Sequence, residues 1–276
     1  MQPLDRTMSQ ILEAYQRAGQ NKTKAAELLG MSRSAYRRAF DKEGKKIPYQ
    51  SDDGPVLVIG DCHAPCMHKD YIPFLKKMQK KHGCKRVVHI GDLVDWSAIS
   101  YHEKDPRMPG LKEEFEAAWK QVRELHAAFP EVDFLVGNHD ALPYRKAQTI
   151  GLSEDMLRSF EDFWALEGWT IHPRFHDLII DGVVYRHGDK CKGGQMAAHK
   201  NSVAEFRSLV QGHLHAQAGI VYHANQDACV FGMQVGCGCD HKHPAMNYGR
   251  VYAAKPIVGC GVVYSSRLAF FEPAFL

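Results

Sequence analysis

The residues able to do chemistry fall into five short pieces: Gly60-Asp61-Cys62-His63, Gly91-Asp92-Leu93-Val94-Asp95, Gly137-Asn138-His139-Asp140, His187-Gly188 and Gly212-His213-Leu214-His215. Carboxylate and imidazole donors together suit Mn2+, Fe or Zn2+ better than Mg2+ alone. A set without cysteine argues against a closed structural zinc site. Within Asp61-x-His63 and His213-x-His215 the two donors stand two apart, which on extended backbone puts both on one face. Glycine before four of the pieces permits sharp turns beside an ion. Each piece alone reads more simply as a turn or a surface pair. Their order, spacing and placement together read as one metal-dependent site.

The elements that must position these pieces follow from the apolar pattern. Runs at 56–59, 86–90 and 132–136 read as buried strands, and each ends at one of the pieces. A fourth run, Val183–Arg186, leads into His187. Functional loops of layered α/β proteins gather at strand ends, so pieces distant in sequence can meet there. Amphipathic helices are expected over 71–81, 112–129 and 153–165. Beyond residue 170 strands dominate, at 177–180, 183–186, 208–211, 219–223, 229–235, 256–264 and 268–271, with Asp181-Gly182 as a hairpin turn. From Pro55 onward the pattern is that of a layered α/β or α+β domain.

Residues 1–41 differ in character. Three short helices are expected there, with residues 42–54 as a polar linker and 55–276 as the large domain. Residues 1–50 carry ten Lys/Arg against five Asp/Glu, a charge of +5 in a chain whose total is +3. A basic appendage on a near-neutral body points to a polyanionic partner. Ala25, Ala26 and Leu29 on one helix, a turn at Gly30, and Met31, Tyr36 and Ala39 or Phe40 on the next read as a helix-turn-helix, with Ser32 as N-cap. Ile11, Leu12 and Tyr15 supply a third wall.

No stretch is apolar over a bilayer's width, and the N-terminus lacks a signal-peptide layout, so a cytoplasmic protein without a membrane partner is expected. The eight cysteines are scattered, which suits reduced thiols. Cys62 and Cys66 bracket the first piece and Cys237-Gly238-Cys239 is close-spaced, yet no matching second pair completes a thiolate site.

The five pieces, taken in order, resemble the calcineurin-like metallophosphoesterases, whose pattern runs Asp-x-His, Gly-Asp-x-x-Asp, Gly-Asn-His-Asp/Glu, His, Gly-His-x-His. The resemblance covers residues 55–215 and lacks none of the family's ligand positions. It implies a four-layer fold, two β-sheets sandwiched between helices, with the strand-rich C-terminal third as the second sheet. It also implies two divalent ions, Mn2+ first, with Fe, Zn2+ or Ni2+ as alternatives. By the same resemblance Asp61, His63, Asp92 and His215 hold one ion, and Asp92 bridges to a second held by Asn138, His187 and His213. His187 has no spacing to check; His172, His176 and His199 are its rivals, and the strand leading into His187 favours it. Such a pair of ions can activate a water, align it with phosphorus and neutralise phosphoryl charge. His139, beside Asn138, is the candidate proton donor to the leaving oxygen, and Asp95 would orient it and favour its charged form. Asp140 stands as a supporting carboxylate behind the ligands.

Fold and metals do not choose the phosphoester. Trp96-Ser97 follows Asp95, and the acid after His139 is Asp140. Ser/Thr protein phosphatases of the superfamily usually have Arg-Gly and Glu at those places. Its double-strand-break nucleases share Gly-Asn-His-Asp but tend to have His in place of Asp95. Tyr101, His102, Lys104, Arg107 and Lys112 extend the segment after the second piece, and Lys190, Lys192 and Lys200 follow His187; both groups are candidates to hold a nucleic-acid strand. The N-terminal segment resembles the trihelical module of factor-for-inversion-stimulation-type DNA-binding proteins. That would place Arg33, Ser34, Arg37 and Arg38 on the recognition helix. The fusion resembles phage metallophosphoesterases. The reading is a DNA-directed nuclease or phosphodiesterase, with DNA as partner. Its rivals are a phosphoesterase of small nucleotides and a DNA-binding regulator whose metal domain does not turn over. Oligomeric state is left open by the sequence.

Overall fold

The computed structural model describes residue 14 and residues 22–36, 54–101, 108–190, 193–240, 242–243 and 254–276. The chain divides into two compact units, Met1–Tyr49 and Gln50–Leu276.

In the first unit, helix α1 (Lys22–Leu28) ends at Gly30, whose φ of +63° is open to glycine without cost. Met31 N–H closes the turn on the Ala26 carbonyl at 2.9 Å. Residues 33–36 are helical, and Ser32 Oγ accepts from Ala35 N–H at 3.2 Å, as an N-cap does. Ala14, Ala25, Ala26 and Tyr36 form a buried cluster on which Leu29 and Met31 pack. Arg33 and Ser34 are exposed. Arg37, Arg38, Ile11, Leu12, Tyr15, Ala39, Phe40 and the expected linker up to residue 53 lie outside the described residues.

The second unit is a mixed α/β structure. Its strands are β1 (Val56–Ile59), β2 (Arg86–His89), β3 (Val132–Leu135), β4 (Trp169–His172), β5 (Leu178–Ile180), β6 (Val183–Arg186), β7 (Ser208–Gln211), β8 (Ala218–Ala224), β9 (Cys229–Val235), β10 (Gly259–Ser265) and β11 (Leu268–Pro273). Its helices are α2 (Tyr71–His82), α3 (Leu111–Ala128), α4 (Leu142–Thr149), α5 (Phe160–Trp164) and α6 (Ala197–Glu205). One sheet has the order β11-β10-β1-β2-β3-β4, with β1 to β4 parallel. The other has the order β5-β6-β7-β9-β8, with β6, β7 and β9 parallel.

Alternation along β1 explains the layering. Val56 and Val58 point into a cluster with Val183, Tyr185, Val210, Phe231 and Met233 of the second sheet. Leu57 and Ile59 point the other way, to Tyr71, Leu75, Val122 and Leu125 on α2 and α3. On the far side, Val184 and Leu209 meet Ala198 of α6. The layers are therefore helix, sheet, sheet, helix.

Four details differ from the sequence reading. The last two strands join the first sheet rather than the second: β10 pairs antiparallel with β1, covering an edge that would otherwise offer unpaired amides. The expected helix over 153–165 is broken into a 3-10 turn, Glu154–Met156, and α5, which Ser159 restarts by accepting from Asp162 N–H at 3.1 Å. Helix α4 forms although Pro143 stands inside it, because proline fits a first turn that has no amide partner to lose. Strand β4 and helix α6 are additional elements. The Asp181-Gly182 hairpin is present, with φ of +51° and +78° and Ile180 opposite Val183.

Candidate metal centre

Five parallel strands end at the site. Asp61 and His63 follow β1, Asp92 follows β2, Asn138 and His139 follow β3, His187 follows β6, and His213 and His215 follow β7. Asp61, His63 and Asp92 are fully or almost fully buried, and His187 is 3 % exposed. Three of these residues bend the chain with a left-handed backbone that a side chain normally avoids: His63 (φ +50°), Asp92 (φ +50°) and His213 (φ +68°). Such conformations persist where surrounding contacts impose them, and they cluster at functional sites.

Glycine lets the loops approach. A Cβ on Gly212 would stand 2.6 Å from Asp61 Oδ1, and one on Gly137 would overlap the Asp92 carboxylate. Asp140 ties the turns together. Its Oδ2 accepts from Asp92 N–H at 2.7 Å and Gly137 N–H at 2.8 Å, and its Oδ1 accepts from Val94 N–H at 3.2 Å. Burial, reinforced by the neighbouring Asp92 charge, pushes the Asp140 carboxyl up to about 7.

The donors converge in two groups sharing one wall. His187 Nε2 lies 3.2 Å from Asp92 Oδ2 and 2.9 Å from Asn138 Oδ1, and His213 completes that group. On the other side, His215 Nε2 lies 3.2 Å from Asp61 Oδ2 and His63 Nε2 lies 3.5 Å from Asp92 Oδ2. His187 Nδ1–H donates to the Ile90 carbonyl at 2.9 Å, which leaves its Nε2 lone pair for the site. The Asp95 carboxylate does the same for His63, holding Nδ1 at 2.7 Å.

Two buried atoms here have no hydrogen-bond partner, Asp61 Oδ1 and His63 Nε2. A buried carboxylate oxygen and a buried imidazole nitrogen without partners are costly unless a cation meets them. The residues present therefore fit divalent ions, as do the groups Asp92–His187–His213, His63–Asp95–His139 and His63–His215–Cys239, whose donor atoms lie within 4.8 Å of one another.

Electrostatics agree with a site built for positive charge. Burial opposes charging of His187, yet Asp92 beside it, with Asp61, raises it to about 10. Burial likewise opposes charging of His215, and its contact with Asp61 raises it to about 9. Burial works against ionisation of Asp92 too, but His187, His139 and His63 hold it well below the usual carboxylate range. The two histidines are counter-charges to Asp61 and Asp92.

His139 stands at the rim, 17 % exposed. Its Nδ1 meets the Asp95 carbonyl at 2.6 Å, and the Asp95 carboxylate lies farther off, at 3.4 Å. Its backbone N–H donates to Asp92 Oδ1 at 2.8 Å. The sequence gives Asp95 the task of orienting His139; in the structure its carbonyl does this while its carboxylate chiefly serves His63. Burial lowers the His139 imidazole, but Asp92 and Asp95 more than offset it, so the net direction is upward.

The rivals of His187 lie elsewhere. His172 pairs with Asp133 at 3.0 Å and stacks on His176, and His199 packs edge-on to His223. Two residues the sequence did not single out as site residues also adjoin the centre. His89 sits beneath it, driven down to about 3 by burial, with Nε2 at 3.3 Å from Cys62 Sγ. Cys239 is the other, and no spacing signal links it to the five pieces.

The sequence matches the family described as calcineurin-like phosphoesterase over residues 54–226. The chain belongs to that family. Membership makes a metal-dependent hydrolase of phosphoesters the coarse description of the second unit. Among solved structures, the chain is similar to Vacuolar Protein Sorting 29 from Cryptosporidium parvum, with 14 % identity, 80 % of this chain and 88 % of that one covered, and a TM-score of 0.40. It is similar to YfcE, a phosphoesterase from E. coli, with 16 % identity, coverage of 75 % and 87 %, and a TM-score of 0.38. It is also similar to the Pseudomonas putida nuclease MPE, with 11 % identity, coverage of 79 % and 87 %, and a TM-score of 0.35. No curated protein sequence matches the chain. No helix among the described residues is long and apolar enough to cross a membrane.

Proposed function

We propose that residues 55–276, within the second unit, are a two-metal phosphodiesterase acting on DNA, and that residues 1–41 form a helix-turn-helix that brings it there across a linker at 42–54. The observation that carries the phosphoesterase part is the convergence of seven donor residues on a site where buried Asp61 Oδ1 and His63 Nε2 make no hydrogen bond. Asp61, His63, Asp92 and His215 would hold one ion, and Asp92, Asn138, His187 and His213 the other. The ions would supply an activated water and neutralise charge on the phosphoryl oxygens.

The chain's own residues do the rest. Asp95 and the Ile90 carbonyl fix the tautomers of His63 and His187, so each presents Nε2. His139, anchored through Nδ1, has Nε2 available to hand a proton to the leaving oxygen. Its raised proton affinity suits an acid at neutral pH.

A polymeric substrate is favoured by the surface next to this acid. Helix α4 begins directly after the Asn138–Asp140 turn and carries Arg145 and Lys146. Lys146 Nζ stands 3.6 Å from the ring centroid of Tyr101, which is 55 % exposed, and the Arg145 guanidinium is 5.2 Å from it. An exposed ring flanked by two cations is suited to a nucleotide strand. In the first unit, exposed Arg33 and Ser34 at the start of the second helical segment are where a helix-turn-helix meets DNA.

The deciding experiment is hydrolysis of labelled single- and double-stranded DNA with Mn2+, beside bis-p-nitrophenyl phosphate, by wild type and His139→Ala. DNA cleavage that disappears in the variant supports the proposal. Turnover of the small diester with DNA left intact would replace it with a small-nucleotide enzyme. Absence of turnover with either would leave a metal-binding DNA regulator.

A further inference from the structure

The Cys237-Gly238-Cys239 segment follows β9 and folds back onto the first motif. Cys237 bridges Asp61, Cys239 bridges Met67, and Gly238 N–H donates to the Asp61 carbonyl at 2.8 Å. This register carries the Cys239 side chain, fully buried, beneath the site. Its Sγ lies with one ring nitrogen of His63 and one of His215 in a group whose members are within 4.8 Å of one another.

Three observations give that convergence meaning. His63 is fully buried and its Nε2 makes no hydrogen bond, with Asp92 Oδ2 at 3.5 Å. Its Nδ1 is already committed to Asp95 at 2.7 Å. The Cys239 thiol has only weak partners: the carbonyls of Asp61 at 3.4 Å and Cys62 at 3.9 Å and the Cys237 thiol, and S–H is a weak donor. The neighbouring thiols are placed differently. Cys62 Sγ meets the Gly60 carbonyl and His89, and Cys66 Sγ meets His243 Nδ1 at 3.1 Å. Cys237 is not a member of the group that contains Cys239.

We propose that Cys239 is a sulfur ligand to the ion held by His63 and His215, which makes that position select a thiophilic ion such as Zn2+ or Fe2+ over Mn2+. Bonds of about 2.0–2.1 Å to nitrogen and about 2.3 Å to sulfur reach at most about 4.4 Å across one centre, so donor atoms within 4.8 Å need only a small adjustment to share an ion. On binding, the Cys239 S–H bond breaks, its proton leaves to solvent, and the sulfur lone pair forms the bond to the ion; nothing is oxidised or reduced. Soft donors shift preference toward zinc and iron, whereas carboxylate and imidazole alone accommodate manganese. The proposal rests on the reading that His63 and His215 hold an ion, but not on what the enzyme hydrolyses.

The test uses the full chain, stripped and reloaded with Zn2+ or Co2+. X-ray absorption at the zinc edge of wild type is expected to contain a sulfur shell at about 2.3 Å. The cobalt form is expected to show a sulfur-to-cobalt charge-transfer band in the near ultraviolet, lost in Cys239→Ser and kept in Cys237→Ser. Partners that only orient ligands are worth roughly 10–100-fold in affinity, so losing a ligand should cut the zinc-over-manganese preference by at least about tenfold. A wild-type zinc shell of nitrogen and oxygen alone overturns the proposal, and that measurement stands even if Cys239→Ser fails to fold. A sulfur shell in a protein that turns over no phosphoester upholds the ligand and rejects the phosphodiesterase. Phosphodiester turnover with no sulfur shell does the reverse.

Discussion

Asp95 Oδ1 lies 2.7 Å from His63 Nδ1 and 3.4 Å from His139 Nδ1, so one buried carboxylate stands between a proposed metal ligand and the proposed acid. The two imidazoles meet edge to face, with centroids 4.5 Å apart. Their proximity would repel if both were charged. Burial together with the nearby His139 lowers the proton affinity of His63, while Asp92 and Asp95 raise that of His139. Neighbouring groups whose proton affinities are driven apart take different jobs: a neutral ligand and a charged donor.

Replacing the two partners should therefore separate binding from chemistry. His139→Ala should cut turnover by about 10²–10⁴-fold, the usual worth of a positioned acid, and leave metal affinity near wild type. Asp95→Asn removes the carboxylate that fixes His63 and should weaken metal binding by roughly 10–100-fold. Calorimetric metal titrations beside steady-state rates decide it. Equal loss of metal by both variants would count against a proton-donor role for His139.

Metal loading should expel protons. His187 and His215 are raised from the ordinary 6.5 to about 10 and about 9, so both are charged at neutral pH in the metal-free protein. An imidazole ligand must be neutral, so on filling the site at pH 7 these two histidines should release about two protons, beside the one that Cys239 would give up as a ligand. Titrations in buffers of different ionisation heat count them. The same shifts give metal-free protein a stabilisation that is complete below about pH 6.5 and lost as pH rises through about 9 and then about 10. Apparent metal affinity should climb over that window. Flat affinity between pH 7 and 10 would remove these two histidines from the ligand set.

Gly212→Ala should damage the centre while leaving the sheets intact. The added Cβ would stand 2.6 Å from Asp61 Oδ1 and 2.7 Å from an Ile90 methyl, both in buried surroundings. Overpacking of this kind costs about 1–3 kcal/mol. The displaced Asp61 should also bind metal more weakly. Urea unfolding with and without Mn2+ would reveal both losses, and a wild-type midpoint in each condition would show that the loop yields freely.

Much of this centre was legible in the chain. Strands β1, β2 and β3 are short apolar runs that stop at a glycine, and each delivers a motif at its end, so strand and site announce one another. What the sequence hid has physical reasons. The buried face of α6 is Ala197, Ala198, Asn201 and Ser202, which gives no apolar stripe to detect. Pro143 reads as a breaker, although at the start of α4 it removes no hydrogen bond. The link between His63 and Asp95 spans 32 residues and that between Cys239 and Asp61 spans 178. Both depend on strand register, which no local spacing encodes.

The basic first unit should govern DNA affinity without touching turnover of a small diester. Tyr36 is fully buried among Ala14, Ala25 and Ala26, and replacing a buried aromatic by alanine costs about 3–5 kcal/mol. A unit that runs only from Met1 to Tyr49 has little stability to spare, so Tyr36→Ala should unfold it. Arg33, being exposed, can be changed without that loss. Arg33→Ala should weaken DNA binding and lower the salt slope by about one if the side chain meets a phosphate. Both variants should hydrolyse bis-p-nitrophenyl phosphate at the wild-type rate. If DNA affinity and its salt dependence survive Tyr36→Ala, the phosphoesterase surface around Tyr101, Arg145 and Lys146 holds the polymer, and the N-terminal unit needs another partner.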